Sequence, residues 1–151
     1  MDMTAPTERL FRAISVIVPL LMEDPLLFFT PQKVQEILKK SRDGRWITSD
    51  DITLSLTLLQ DQGYIEVVPQ RRVRTLQYRF TLRGALDCFE TLTTEAQWPP
   101  RITVGLLELL RQSNCLSLSD LKLRKRNLLA IPELGPLPRA FLVCMCVRYN
   151  L

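Results

Sequence analysis

From residue 7 to residue 63 the apolar side chains fall into blocks at helical spacing, and from residue 64 the period changes to two. In the first block Leu10, Ile14, Ile17 (or Val18) and Leu21 share a face, which predicts a helix capped by Thr7 and running to about Glu23. Pro19 lies inside it and is expected to kink it, because the ring removes one donor and crowds the preceding turn. "MEDP" ends the element, since a residue before proline is pushed out of helical geometry, and "LLFF" follows as a short bridge. Thr30-Pro31 starts a second helix, a hydroxyl cap followed by proline at the first helical position, with Val34, Ile37 and Leu38 inward through about Lys40. "SRDGRWIT" reads as a turn and a brief strand-like Trp46-Ile47. Thr48 or Ser49 then caps a third helix with Asp50 and Asp51 in its first turn. Its inward positions are Ile52, Leu56, Leu58 and Leu59, and Gly63 supplies a left-handed stop.

Tyr64 to Val68 and Leu76 to Thr81 are β-rich runs around a hairpin tip at Pro69 to Thr75. Leu76, Tyr78 and Phe80 lie on one face and Gln77 and Arg79 on the other. Thr81 caps a fourth helix to about Leu92, and "QWPPR" breaks the chain, since adjacent prolines exclude both helix and sheet pairing. A fifth helix, roughly Thr103 to Gln112, turns Val104, Leu107 and Leu110 (or Leu106) inward. Ser119 caps a sixth through about Leu129, which carries Lys122, Arg124, Lys125 and Arg126 with Leu121 and Leu128 inward. "IPELGPLP" is a connector, and Arg139 to Tyr149 is an apolar segment that fits helix or strand.

The resulting class is α+β, mainly α. Three helices followed by a hairpin, with the third leading directly into the first strand, is the order of a winged helix-turn-helix, here with a C-terminal helical extension. The expected domains are residues 1–96 for the winged helix and 97–151 for the extension, a possible dimerisation element.

Two stretches carry a resemblance. "LLQDQGYIEVV" resembles the end of the third helix and the entry to the wing in MarR- and PadR-type transcription regulators, and "YRFTLRG" at Tyr78 to Gly84 resembles their wing exit, with Phe80 in a leucine place. The resemblance covers about residues 8–92. It implies a third helix in the major groove of double-stranded DNA and a wing on the backbone or in the minor groove. On this sequence that places Ser49, Thr53, Thr57 and Gln60 on the reading face and Arg71, Arg72 and Arg74 at the wing tip, with Arg79 on the adjoining strand. Lys33, Lys39, Lys40, Arg42 and Arg45 around the second helix either supply backbone contacts or form a solvated basic face.

Residues 63–84 contain five arginines, no lysine and a single glutamate. Guanidinium groups pair with phosphates in a fixed fork geometry and enter narrow minor grooves, so a phosphate clamp is the reading. The third helix has no Lys or Arg, and Asp50 and Asp51 in its first turn repel DNA unless they accept from cytosine amino groups; equally, they serve only as helix caps. Charge along the chain is polarised: residues 1–68 carry 7 basic and 10 acidic side chains (−3), residues 69–151 carry 13 and 6 (+7). A positive half can attract nucleic acid, an acidic protein or an anionic membrane, and charge alone does not choose among them; the alternative to DNA binding is an interaction module whose hairpin docks on an acidic protein. "KLRKR" is either a solvated flank or a second nucleic-acid contact. Phe141, Val143 and Val147 either complete the core or form the seam of a homodimer.

At 151 residues and 46% apolar content the chain holds one ordinary domain, or a small domain with an extension. The longest apolar stretches, Ile14 to Met22 and Ala140 to Val147, fall short of the ~18 residues of a membrane helix, so no membrane span is expected. The N-terminal residues do not read as a secretion signal, so a cytoplasmic location is expected. Cys88, Cys115, Cys144 and Cys146 are too unevenly spaced for a disulfide framework and are expected as free thiols. Cys144 and Cys146 flank Met145 in an apolar run and read as buried hydrophobes rather than as metal ligands. The sequence contains no histidine, and there is no Gly-rich phosphate loop or nucleophile-base motif; no enzyme, metal or cofactor is expected.

Overall fold

The computed structural model of the chain describes residues 4–68, 75–93 and 101–151, with the side chains of residues 4–7 excepted. It is mainly helical with one two-stranded antiparallel sheet. The contacts divide it into two compact units, Met1–Arg79 and Phe80–Leu151, so that the fourth helix groups with the C-terminal helices.

The first unit contains α1 (Thr4–Leu21), α2 (Pro31–Lys39) and α3 (Ser49–Asp61), each packed on the other two, followed by β1 (Ile65–Val67) and the first two residues of β2 (Tyr78–Phe80). The first helix starts and ends earlier than its sequence pattern suggests and runs through Pro19. Its buried stripe is Ala13, Ile17 and Leu21, while Leu10 and Ile14 are half-buried at its edge. As expected, Thr30 caps α2, its hydroxyl accepting from the Lys33 N–H at 3.0 Å, and Val34 and Leu38 fill the core. The segment between α2 and α3 is a correction. Trp46 and Ile47 form no strand; a 3-10 turn at Arg42–Gly44 folds back on α2, and the Ile47 N–H donates to the Gly44 carbonyl at 3.2 Å. Gly44 permits this close approach, since a Cβ there would sit 2.7 Å from Leu38 Cδ2 and 3.1 Å from the Leu38 carbonyl oxygen.

Thr48 caps α3, and Ile52, Leu56 and Leu59 are its buried apolar positions. Gly63 adopts φ +78°, the left-handed stop that turns the chain into β1. Each strand keeps only three residues. Tyr78 and Phe80 are buried, but Leu76, expected beside them, precedes β2 and is exposed. Tyr78 also exchanges two backbone hydrogen bonds with Phe29, 2.8 and 2.9 Å, and their rings stack at 6.1 Å. The "LLFF" bridge is thus tied into the sheet edge.

The second unit contains α4 (Leu82–Leu92), α5 (Ile102–Gln112), α6 (Leu118–Leu129) and α7 (Pro136–Tyr149), with α4 packed on α5 and α6 on α7. Thr81 caps α4 as expected. In α5 the inward stripe is Ile102, Leu106 and Leu110; Val104 is exposed and Leu107 half-buried, contrary to the expectation for Val104. The cap of α6 is Ser117 rather than Ser119, because the Ser117 hydroxyl stands where it accepts from the Asp120 N–H at 3.1 Å. The C-terminal apolar segment is helical. Phe141, Leu142 and Met145 are buried, and Phe89 meets Phe141 and Tyr149 edge-on at 5.0 and 5.7 Å. Among the described residues no helix is long and apolar enough to cross a membrane.

Candidate nucleic-acid interface

The helical period of α3 leaves one face without core partners. Ser49, Thr53, Thr57 and Gln60, at spacings of four, four and three, are all exposed there. The hydroxyls of Thr53 and Thr57 donate to the carbonyls of Ser49 and Thr53, at 3.1 and 2.8 Å. This leaves their oxygens as acceptors, suited to amino groups such as those on base edges. Ser49 stands at the start of α3, with Gln35 Nε2 of α2 at 3.5 Å from its hydroxyl, and Lys33 is exposed on α2.

The two acids of the first turn differ in kind. Asp50 is exposed. Asp51 is only 7% exposed and completes a capping box: its Oδ2 accepts from the Thr48 N–H and hydroxyl, both at 2.8 Å, while the Asp51 N–H donates to Thr48 Oγ1 at 3.2 Å. Arg9 of α1 then closes on the carboxylate with a fork, Nε to Oδ1 at 2.9 Å and Nη2 to Oδ2 at 2.8 Å. The Arg9 hydrogen bond, followed by those from Thr48, holds the Asp51 carboxyl well below the usual carboxylate range against the opposing effect of burial. Asp51 is therefore a paired structural group, the helix cap that the sequence left open beside the reading of both acids as repulsive charges.

The Arg79 guanidinium is engaged as well. Its Nε donates to Glu66 Oε1 at 2.6 Å, across the strand pair that ends with the Val68 N–H on the Gln77 carbonyl at 2.8 Å. Arg71, Arg72 and Arg74, the expected wing tip, lie outside the described residues. In "KLRKR", Lys122 and Arg126 share an exposed face of α6, but Lys125 donates to the Leu151 carbonyl at 2.7 Å and Arg124 leans toward the carbonyls of Ser113 and Asn114. The α7 residues divide: Phe141 belongs to the core, and Val143 and Val147 face outward.

Sequence reasoning missed Arg9, which is 42 residues from its partner with no local pattern to announce it. It also missed the Glu66–Arg79 pair, for which a signal existed, because two opposite charges in facing strands of a hairpin are a register expectation. No protein-family model, no curated protein and no solved structure matches the chain.

Proposed function

We propose that residues 8–92 form a winged helix-turn-helix and that the chain is a DNA-binding transcriptional regulator acting in the cytoplasm. In this reading α3 lies in the major groove with Ser49, Thr53, Thr57 and Gln60 toward base edges. Lys33 contacts the backbone, and Arg71, Arg72 and Arg74 clamp phosphates beside it. Arg79 braces the base of the arginine-rich loop through Glu66. Support comes from the element order, from the Gly63 turn that leads α3 straight into β1, and from the resemblance of the two stretches to MarR- and PadR-type regulators.

The observation that carries the reading is the exposed row of uncharged hydrogen-bonding side chains on α3. The helix has no cation; Arg9 and Thr48 hold Asp51 within the fold, and Ser49, Thr53, Thr57 and Gln60 stand exposed with Asp50 as the one exposed charge of the first turn. Such a row reads bases only when neighbouring cations supply the affinity, which is the role given to the loop arginines.

The test is binding of the full chain to a random-sequence duplex across a salt series. Affinity falls steeply with salt, and the Arg71→Ala/Arg72→Ala/Arg74→Ala variant lowers the log-log slope by about 2–3, near 0.9 per lost phosphate contact. Absence of binding at low salt refutes this function. The second reading is an interaction module docking on an acidic protein, favoured by Leu54, which projects 58% exposed from α3 where a duplex offers it little. That outcome leaves the duplex unbound while the same triple variant loses an acidic partner.

A further inference from the structure

Between α1 and the turn before α3 lies an open groove of about 500 Å³, lined by Phe11, Arg12, Ser15 and Val16 on one side and by Asp43 and Trp46 on the other. Phe11 is 56% and Trp46 38% exposed, so two aromatic side chains stand together at the surface of the unit. Trp46 is held in place. The Arg9 guanidinium sits over its ring, 5.1 Å from the centroid, and Arg9 Nη2 also donates to the Trp46 carbonyl at 3.4 Å while the same group grips Asp51. An aromatic ring already fixed on a rigid element loses little freedom on docking, which is the property of an interface anchor.

We propose that this groove is a two-fold contact between copies of the chain. Phe11 of each copy lies against Trp46 of the other, and Arg12 of each pairs with Asp43 of the other. The charge pattern selects this occupant. A two-fold interface must be complementary to itself, so that every cation it carries finds an anion on the same patch. Here one cation and one anion stand on opposite sides of an apolar centre, and neither forms a hydrogen bond or ion pair with another described residue. A partner of single-sign charge, such as a polyanion, meets Asp43 with repulsion. The six residues that line the groove are few beside the roughly 20–30 a side of a standard interface, so the association is a weak, reversible one.

The contact stands independently of DNA binding and is read without nucleic acid, by sedimentation velocity of the full chain over a concentration series. The wild type shows a reversible monomer–dimer equilibrium. Phe11→Ser, Arg12→Asp and Asp43→Arg each weaken it by about tenfold or more. The Arg12→Asp/Asp43→Arg double variant restores association, because the swapped charges again face opposite signs. All three side chains are solvent-facing, and far-UV circular dichroism of each variant checks its fold; should Phe11→Ser not fold, the charge-swap cycle alone decides. A wild type that stays monomeric throughout overturns the proposal. A dimer unaffected by the single variants does so too, and would direct attention to the exposed Val143 and Val147 of α7. Failure of the double variant to regain association after loss in both single charge variants also overturns it.

Discussion

Replacing Asp51 tests whether its carboxylate is structural, and the size of the effect follows from its partners. Asp51→Ala removes the capping box with Thr48, worth about 1 kcal/mol. It also removes the Arg9 fork, whose guanidinium side is half-exposed and therefore screened, worth about 1 kcal/mol at most. The sum is about 2 kcal/mol, which for a urea slope of about 2 kcal/mol per M lowers the unfolding midpoint by about 1 M. Asp51→Asn keeps an acceptor for Thr48 and loses mainly the charge, so its shift is about half as large. Trp46 is the reporter, lying under Arg9 in the same unit, with Trp98→Phe as background because the chain has only two tryptophans.

The pH dependence gives the sharper check. Because the folded-state pKa of Asp51 is depressed, the unfolded chain takes up the proton first as pH falls. The contribution is complete above about pH 5 and is progressively lost below about pH 4, toward the folded pKa. The wild type and Asp51→Asn therefore differ most near neutrality and converge in acid. A midpoint shift below about 0.2 M for Asp51→Ala, or a difference between wild type and Asp51→Asn that stays constant from about pH 7 to about pH 3, refutes the argument.

In the second unit, Phe89→Ala removes the ring that meets Phe141 and Tyr149 edge-on and costs about 3–5 kcal/mol, measured as a loss of midpoint in chemical unfolding. Thiol labelling under native conditions near pH 8 modifies Cys144 first, since it is exposed and not buried as its apolar run suggested. Burial pushes the Cys88 thiol up to about 12 and the Cys115 thiol up to about 11, and these react only after unfolding; mass spectrometry of the singly labelled species reads the order.

What could be read from the chain itself was set by short-range chemistry. Thr30-Pro31, Thr81 and Gly63 mark boundaries because a cap or a left-handed residue acts within three or four positions, and the structure has all three where the sequence puts them. The misses come from longer range. A run such as Ile102 to Leu110 offers apolar residues to more than one helical face, and only the packing of α5 chooses Ile102, Leu106 and Leu110 and leaves Val104 outside. Trp46-Ile47 has strand-like residues but no strand to pair with, because Gly44 lets the turn close onto α2 and uses the Ile47 N–H locally. The candidate site divides along the same line. The outward row on α3 is legible as the positions that the helical period leaves over, but the charge it presents is not. Asp50 and Asp51 are adjacent and identical in sequence, and they part company because Asp51 closes the capping box with Thr48 and because Arg9, on another helix, reaches it. The charge beside the proposed reading surface thus depends on how α1 packs on α3, and if the proposed DNA-binding role holds, Arg9→Ala lowers duplex affinity in the same salt series by leaving the Asp51 charge unpaired.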